Sequence, residues 1–324
     1  MTIIRTFKVY IFVFISLNLL SYNALSNDLF NSFVTLISKE AKTKGVSLEV
    51  IKDFKSKVSF IPRVIELDRS QPEFKLTLNQ YLSRVVTPTR IKKANIKFKK
   101  NKKLLHIIGK HYGVQPRFLV ALWGIETDFG RLTGGFSVVS ALSTLAFEGR
   151  RHEYFKKELF NALKIINDGH ITLNKMTGSW AGAMGQCQFM PSSFINYAHD
   201  WDKDGSKNIW TSKPDVFASA ANYLNKVGWS NRITWGRKVF IGEYNKKLKK
   251  DKYYLLSKWS SNGILSENKN ELPNVKIKAR LITPVKYGDY GYLVYNNFES
   301  LLNWNRSNYF AIAVGKLSDA IHEN

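Results

Sequence analysis

Glu126 lies in the stretch ALWGIETDFG, residues 121–130, as one carboxylic acid among Leu122, Trp123, Ile125 and Phe129. On a helix, Trp123 and Leu122, three and four positions earlier, share its face. From Phe118 to Ile125 there is no polar side chain, and a helix that is apolar all round is buried. A carboxyl group in such a place loses hydration, which raises its pKa and keeps it protonated near neutrality. That is the state in which a general acid protonates a glycosidic oxygen. The competing reading is a structural glutamate paired with Arg117 or Arg131. Most glycosidases place a second carboxylate across the bond. Asp128 is nearest in the chain, but residues two apart on a helix point to nearly opposite sides. Asp128 is expected to contact local backbone at the helix end, so a lone acid would need a substrate that supplies its own nucleophile.

Two further stretches carry chemistry. In GSWAGAMGQCQFMPSSF, residues 178–194, Gly178, Gly182 and Gly185 allow close backbone approach to a ligand. Ser179, Gln186 and Gln188 offer neutral hydrogen bonds, and Met184, Phe189 and Met190 could floor a sugar site. A tight helix–helix crossing built on small residues explains the same stretch equally well. In DWDKDGSKN, residues 200–208, Asp200, Asp202, Asp204 and Ser206 alternate, and Gly205 permits a sharp turn. Hard oxygen donors at this spacing suit Ca2+ in a loop resembling an EF-hand, although position 12 is Thr211 rather than Glu. A metal-free surface loop is the alternative. The six histidines have no zinc-binding spacing, and there is no GxSxG nucleophile elbow or phosphate-binding glycine loop. His106, His111 and His199 read as surface or packing residues. Cys187 is the single cysteine, so no internal disulfide forms, and it reads as a small buried side chain.

The elements that must position these residues follow from periodicity. Residues 28–57 are helical in pattern, interrupted at Gly45. IPRVIELDRSQPEF, with two prolines, reads as an irregular link, and helical patterning returns over 75–112. Its run KKANIKFKKNKK is either a solvated face or a patch that holds an anionic polymer. From Tyr112 to Trp229, helical stretches alternate with glycine turns, and Pro116 suits the first turn of a helix running through Glu126 to about Gly130. After Trp235, alternating stretches such as RKVFIGEY and KIKARLITPVKYGDYGYLVY predict a small β-rich section. FESLLNWNRSNYFAIAVGKLSDAI reads as one last helix.

The N-terminus has Arg5 and Lys8, an apolar stretch from Val9 to Leu20, and small residues at Ala24 and Ser26. This is the pattern of a secretory signal peptide cleaved near Ser26, too short for a comfortable span. Forty-nine Lys+Arg against 25 Asp+Glu give +24, which draws the chain to an anionic polymer or surface. Export removes weight from nucleic acid as the partner. Eight tryptophans and fifteen tyrosines fit either a carbohydrate groove or a large core.

LWGIETDFG, the GSWAGAMGQCQFMPSSF block, DWDKDGSKNIW…PDVFASAANYL, the upstream DRSQPEF and the downstream LVYNNF…LLNWNRSNYFAIAVGKLSDAI together resemble the lytic murein transglycosylase B family. The resemblance spans nearly the whole exported chain. It implies a mainly α (α+β) fold: a lysozyme-like α-helical catalytic core with flanking helices and a small β-rich subdomain. The implied division is a signal peptide at 1–26, an N-terminal α-helical region at 27–110 and the catalytic core with its EF-hand-like loop at 111–232. A β-rich subdomain at 233–295 and a C-terminal helix packing on the core at 296–324 complete it. It also implies cleavage of the MurNAc–GlcNAc β-1,4 bond of peptidoglycan without water, leaving a 1,6-anhydro end. Glu126 matches the single acid/base, and Ser179, Gln188 and Tyr223 match sugar-contacting positions. Met184 lies in the same block, and Asn305 and Tyr309 depend on how the last helix packs. Asp215 would close the calcium loop. No cofactor is implied for catalysis, and Ca2+ would be structural. The implied partners are peptidoglycan glycan strands and proteins of wall synthesis or division, in the periplasm. Two departures stand out. Gln186–Cys187 sits where the family commonly has smaller or different residues, and a lipid-bearing cysteine is absent, which favours a form without a stable membrane anchor.

Overall fold

The computed structural model describes residues 27–70, 76–242, 244, 247–283 and 288–322. The signal-peptide segment and part of DRSQPEF lie outside these residues. The helices in chain order are α1 (27–43), α2 (Leu48–Lys57), α3 (Pro62–Arg69), α4 (Leu78–Val85), α5 (Pro88–Tyr112), α6 (Pro116–Thr127) and α7 (Val138–Glu148). They continue with α8 (His152–Asn167), α9 (Pro191–Tyr197), α10 (Lys213–Lys226), α11 (Leu256–Ser260), α12 (Asn296–Trp304) and α13 (Asn308–Asp319). The strands are β1 (Phe136–Ser137), β2 (Thr177–Gly178), β3 (Gly236–Phe240), β4 (Tyr254–Leu255), β5 (Leu265–Ser266), β6 (Lys278–Ile282) and β7 (Tyr290–Val294). The mainly helical fold with a small sheet agrees with the sequence pattern. Among the described residues no helix is long and apolar enough to cross a membrane.

Two local expectations are corrected. Residues 62–69 form α3, not an irregular link, because Pro62 occupies the first turn, where its missing N–H costs nothing. The last stretch forms two helices, since Asn305 is extended and Ser307 caps α13 by accepting from the Phe310 amide at 3.3 Å.

The chain forms two compact units. Of the described residues, the first takes 27–70, Gly134–Met184 and Phe189–Ile195. Its centre is α7, buried from Val138 to Ala146 and packed on α8 and α3. Two α7 hydroxyls serve the incoming chain: Ser140 accepts from the Ser59 amide and Thr144 from the Ile61 amide. Phe30, Phe60 and Phe147 make an aromatic cluster with centroids 5.4–5.7 Å apart. Asp68, almost fully buried, accepts from Arg150 and Arg151, which satisfies a charge that would otherwise be costly there.

The second unit comprises the described residues of 76–133, Gly185–Gln188 and 196–322. Its centre is α6, which packs on α5, α13 and α10. Gly124 permits the close approach: a Cβ there would lie 2.8 Å from the Phe129 ring and 3.3 Å from Leu317 on α13. An antiparallel five-stranded sheet, ordered β4-β6-β7-β3-β5, lies between α10 and α12 in the chain. Val239, Leu256, Trp259, Ile264, Leu281 and Leu293 fill its own core, and Trp259 donates its indole N–H to the Ala279 carbonyl at 2.8 Å.

Candidate active site

Glu126 lies in the last turn of α6. The helix starts with Pro116 in its first turn and buries every residue from Phe118 to Gly124. It stops because Asp128, Phe129 and Gly130 take left-handed backbone conformations. The Phe129 amide then bonds back to the Trp123 carbonyl at 3.1 Å, and its ring meets the Trp123 indole edge-on at 5.6 Å. The Asp128 carboxylate is held by two cationic side chains. It accepts from Lys93 at 2.9 Å and Arg131 at 2.6 Å, not from local backbone as the sequence led us to expect. Burial alone would raise its pKa; the bonds from Arg131 and Lys93 outweigh that and hold it below the usual range.

The same pairings decide how Glu126 is held. Arg131 is committed to Asp128, and Arg117 bonds Asp319 at 3.1 Å. Among the described residues no ion pair includes Glu126. Its partner is Trp304, whose indole N–H donates to Oε1 at 2.7 Å. Glu126 keeps part of its surface open, yet the surrounding atoms strip enough hydration to push its pKa up to about 7, with the Trp304 bond opposing the shift. Leu119, Leu122, Trp123, Cys187 and Trp304 enclose a small cavity with it.

Aromatic residues complete the surroundings. The Tyr223 ring stands 4.8 Å from Trp304 and 4.5 Å from Tyr197, and its hydroxyl donates to the Asn303 carbonyl at 2.7 Å. Burial pushes the Tyr223 pKa up to about 12, so it stays a neutral donor and acceptor. Tyr81 on α4 is raised by burial and then by the charge of Glu126, which puts it within electrostatic reach of that carboxyl. Tyr309, partly exposed on α13, lies with its ring 5.8 Å from Tyr81. Asn305 is exposed at the break between α12 and α13. The second unit thus gathers Glu126, Tyr223 and Tyr309 with Trp304 and Tyr81, which sequence reasoning missed. Trp304 gave no local signal, because its contact with Glu126 joins residues 178 positions apart.

The glycine-rich block divides between the units. Ser179 is in the first, where its Oγ accepts from the Ala183 amide at 3.0 Å. Met184 is there too and has no exposed surface; its backbone bridges to Gly178 and Phe189. Its side chain is therefore packing, and in this conformation it offers no floor for a sugar. Gln188 is in the second unit with φ 50° and donates to the carbonyls of Gly185 at 2.9 Å and Thr133 at 3.1 Å. Gln186 is buried and spent on protein: it accepts from the Trp123 indole at 2.7 Å and donates to the Trp210 carbonyl at 2.8 Å. Cys187 is buried beside it and donates to the Val216 carbonyl at 3.3 Å; burial, then the Glu126 charge, raises its pKa.

The acidic loop precedes α10. Asp200, Asp202 and Asp204 each bring a carboxylate oxygen within 4.8 Å of the others. Asp200 accepts from the amides of Asp204 at 3.2 Å and Gly205 at 2.9 Å, which folds the loop around itself. Three hard, partly or fully exposed oxygen donors fit a calcium ion. Asp215 has a different place. It is fully buried, and its two oxygens accept from the amides of Trp201 and Asn208, both at 2.8 Å. It closes the loop through backbone hydrogen bonds. Ser206 donates its amide to Asp204 at 2.8 Å.

The chain as a whole is similar to several known proteins. A crystal structure of Pseudomonas aeruginosa SltB3 in complex with NAG-anhNAM-pentapeptide superposes with a TM-score of 0.86 at 34% identity, covering 90% of this chain and 78% of that one. Escherichia coli lytic transglycosylase SLT35 in complex with calcium gives a TM-score of 0.75 at 28% identity, covering 91% of this chain and 92% of that one. Escherichia coli membrane-bound lytic murein transglycosylase B is 31% identical over 250 residues, 75% of this chain and 66% of that protein. The chain thus spans just under two thirds of the length of that curated relative. Residues 29–319 match the family described as the transglycosylase SLT domain, and the chain belongs to that family, in the company of the lytic murein transglycosylase B proteins.

Proposed function

We propose that the protein is a peptidoglycan lytic transglycosylase that cuts the MurNAc–GlcNAc β-1,4 bond and leaves a 1,6-anhydro-muramyl end. The observation that carries the reading is Glu126: a partly open carboxyl with its pKa pushed up to about 7 and a single indole donor holding it. Similarity to SltB3, crystallised with NAG-anhNAM-pentapeptide and with NAG-NAM-pentapeptide, supports the substrate class.

Each step then has a stated proton. Protonated Glu126 gives its proton to the glycosidic oxygen as the bond from that oxygen to muramyl C1 breaks. The N-acetyl oxygen of the same sugar shares its electrons with C1, which supplies the role of the missing second carboxylate. The Glu126 carboxylate next takes the proton of the muramyl 6-hydroxyl, and O6 bonds to C1 while the acetyl oxygen leaves. The acid is regenerated and no water is consumed. Trp304 orients the carboxyl throughout. In the second unit Tyr309 offers an aromatic face and a hydroxyl to the glycan, Tyr223 offers the acceptor side of a hydroxyl whose proton is held by Asn303, and Gln188 and Asn305 offer polar contacts; in the first unit, taken by itself, Ser179 offers its hydroxyl. Asp200, Asp202 and Asp204 would hold a structural Ca2+, with Asp215 holding the loop backbone. Export to the periplasm after cleavage near Ser26 brings the enzyme to its substrate.

Mass spectrometry of digested sacculi tests the reading. Anhydro-muramyl products are expected; reducing muramyl ends would make the enzyme a hydrolytic muramidase on the same scaffold. Glu126→Gln should stop muropeptide release while the protein still pellets with sacculi. Unchanged release would remove Glu126 from its role, and no release by the unaltered protein would leave a wall-binding protein only.

A further inference from the structure

The lysines of α5 fall into two sets. Two are used inside the fold: Lys93 pairs with Asp128 at 2.9 Å, and the Lys97 ammonium lies 5.7 Å from the Trp123 ring centre. The other six face out, with Lys100 and Lys102 lying about 80° to either side of a line made by the remaining four. Lys92, Lys99, Lys103 and Lys110 are separated by seven, four and seven positions, all are exposed, and among the described residues none of them forms an ion pair. At about 100° per residue these four fall close to one line along the helix. The opposite face carries Ala94, Phe98, Leu105, Ile108 and Tyr112, all buried.

The outer line is not purely cationic. Ile96 and Ile107, 57% and 50% exposed, each stand four positions after a lysine of the stripe, Lys92 and Lys103. A water-soluble polyanion gains from the lysines alone. Exposed isoleucines beside the cations add to that gain where an anionic surface lies over an apolar interior. From Lys92 to Lys110 the line runs about 27 Å, which suits a helix lying flat on such a surface.

We propose that this face of α5 docks reversibly on the anionic phospholipid surface of a bilayer. The lysine ammonium groups meet lipid phosphates, and Ile96 and Ile107 enter the boundary between headgroups and acyl chains. The attachment needs neither a spanning helix nor a covalent lipid, and it is independent of the role given to Glu126.

Vesicle co-sedimentation tests it, using the chain from residue 27 onward, which carries every element of the fold described above. Binding is expected to phosphatidylcholine vesicles containing about 30% phosphatidylglycerol and not to phosphatidylcholine alone, with release at about 0.5 M salt. The pair Lys99→Glu and Lys103→Glu should lower partitioning by about twentyfold or more. The pair Ile96→Ser and Ile107→Ser keeps the charge and should lower it about tenfold. Circular dichroism of both variants should match the parent, since all four side chains are exposed. Equal binding to both vesicle types, or no binding to either, overturns the proposal. So does unchanged binding of the isoleucine pair, and so does loss of sacculus binding by the lysine pair with vesicle binding unaffected, since both outcomes assign the stripe to a polyanion.

Discussion

With a pKa pushed up to about 7, Glu126 carries its proton in about half of the molecules at neutral pH. The first chemical step uses the protonated form, so turnover should fall as pH rises through 7, as a pH–rate profile on sacculi would read. The same shift sets a stability cost. The folded carboxyl binds its proton more tightly than the unfolded one, whose ordinary value is 4.5. Below about pH 4.5 the group is neutral in both states and costs nothing; the cost grows between 4.5 and 7 and is constant above, at roughly 3–3.5 kcal/mol at most. Glu126→Gln removes that cost while keeping an acceptor for Trp304. It should raise the melting temperature at pH 8 by roughly 2–8 °C and leave it nearly unchanged at pH 4. Trp304 is a positioning residue in this scheme. Trp304→Phe deletes the donor that lowers the Glu126 pKa, so the alkaline limb of the profile should move upward while kcat/KM drops about tenfold; a rate loss with an unmoved limb would assign Trp304 to packing alone. The carboxyl itself was legible in the sequence, because helical spacing and an unbroken apolar run sufficed to predict its burial. Its indole partner was not, since nothing near Trp304 in the chain marks where a helix break will aim it.

Elements differ in how far local pattern decides them. α6 was legible from Pro116 and its apolar run, and the sheet from alternation after Trp235. α3 was not, because two prolines in one short stretch look like a link until Pro62 is seen in a first turn. The break between α12 and α13 was hidden as well: the apolar period continues across it, and only the Ser307 cap ends the register. The acidic loop before α10 was legible in its three alternating carboxylates, but not in Asp215, which tertiary packing buries against two backbone amides. Three carboxylate oxygens this close repel one another unless a cation joins them. Calcium in about hundredfold excess over its Kd should stabilise the fold by about 2.7 kcal/mol, seen as a rise of several degrees in melting temperature. A chelator should reverse it, and Asp202→Asn should blunt it; a melting temperature indifferent to both would leave the loop a surface turn.

At the scale of the whole molecule, the charge is +24, or 24 − 2 = +22 once a segment holding Arg5 and Lys8 is removed, and in the proposed function it bears on attachment rather than on the chemistry of Glu126. On the proposed substrate, attraction between exposed lysines and the peptide carboxylates of the wall would act through water, over a screening length of about 10 Å at 0.1 M salt and about 3 Å at 1 M. The pKa of Glu126 instead comes from lost hydration, opposed by a hydrogen bond at contact distance, and neither is screened by salt in the same way. Attachment and chemistry should therefore separate under salt. Raising it from about 0.05 M to about 0.5 M should release the protein from sacculi and raise KM on that polymer about tenfold or more. On short soluble glycan fragments kcat should hold within about twofold, and the alkaline limb of the pH–rate profile should stay near 7, because both reflect the desolvated carboxyl. If kcat on the fragments fell in step with wall binding, the positive surface would be acting on the reacting sugar itself, and the burial of Glu126 would not suffice to explain its proton.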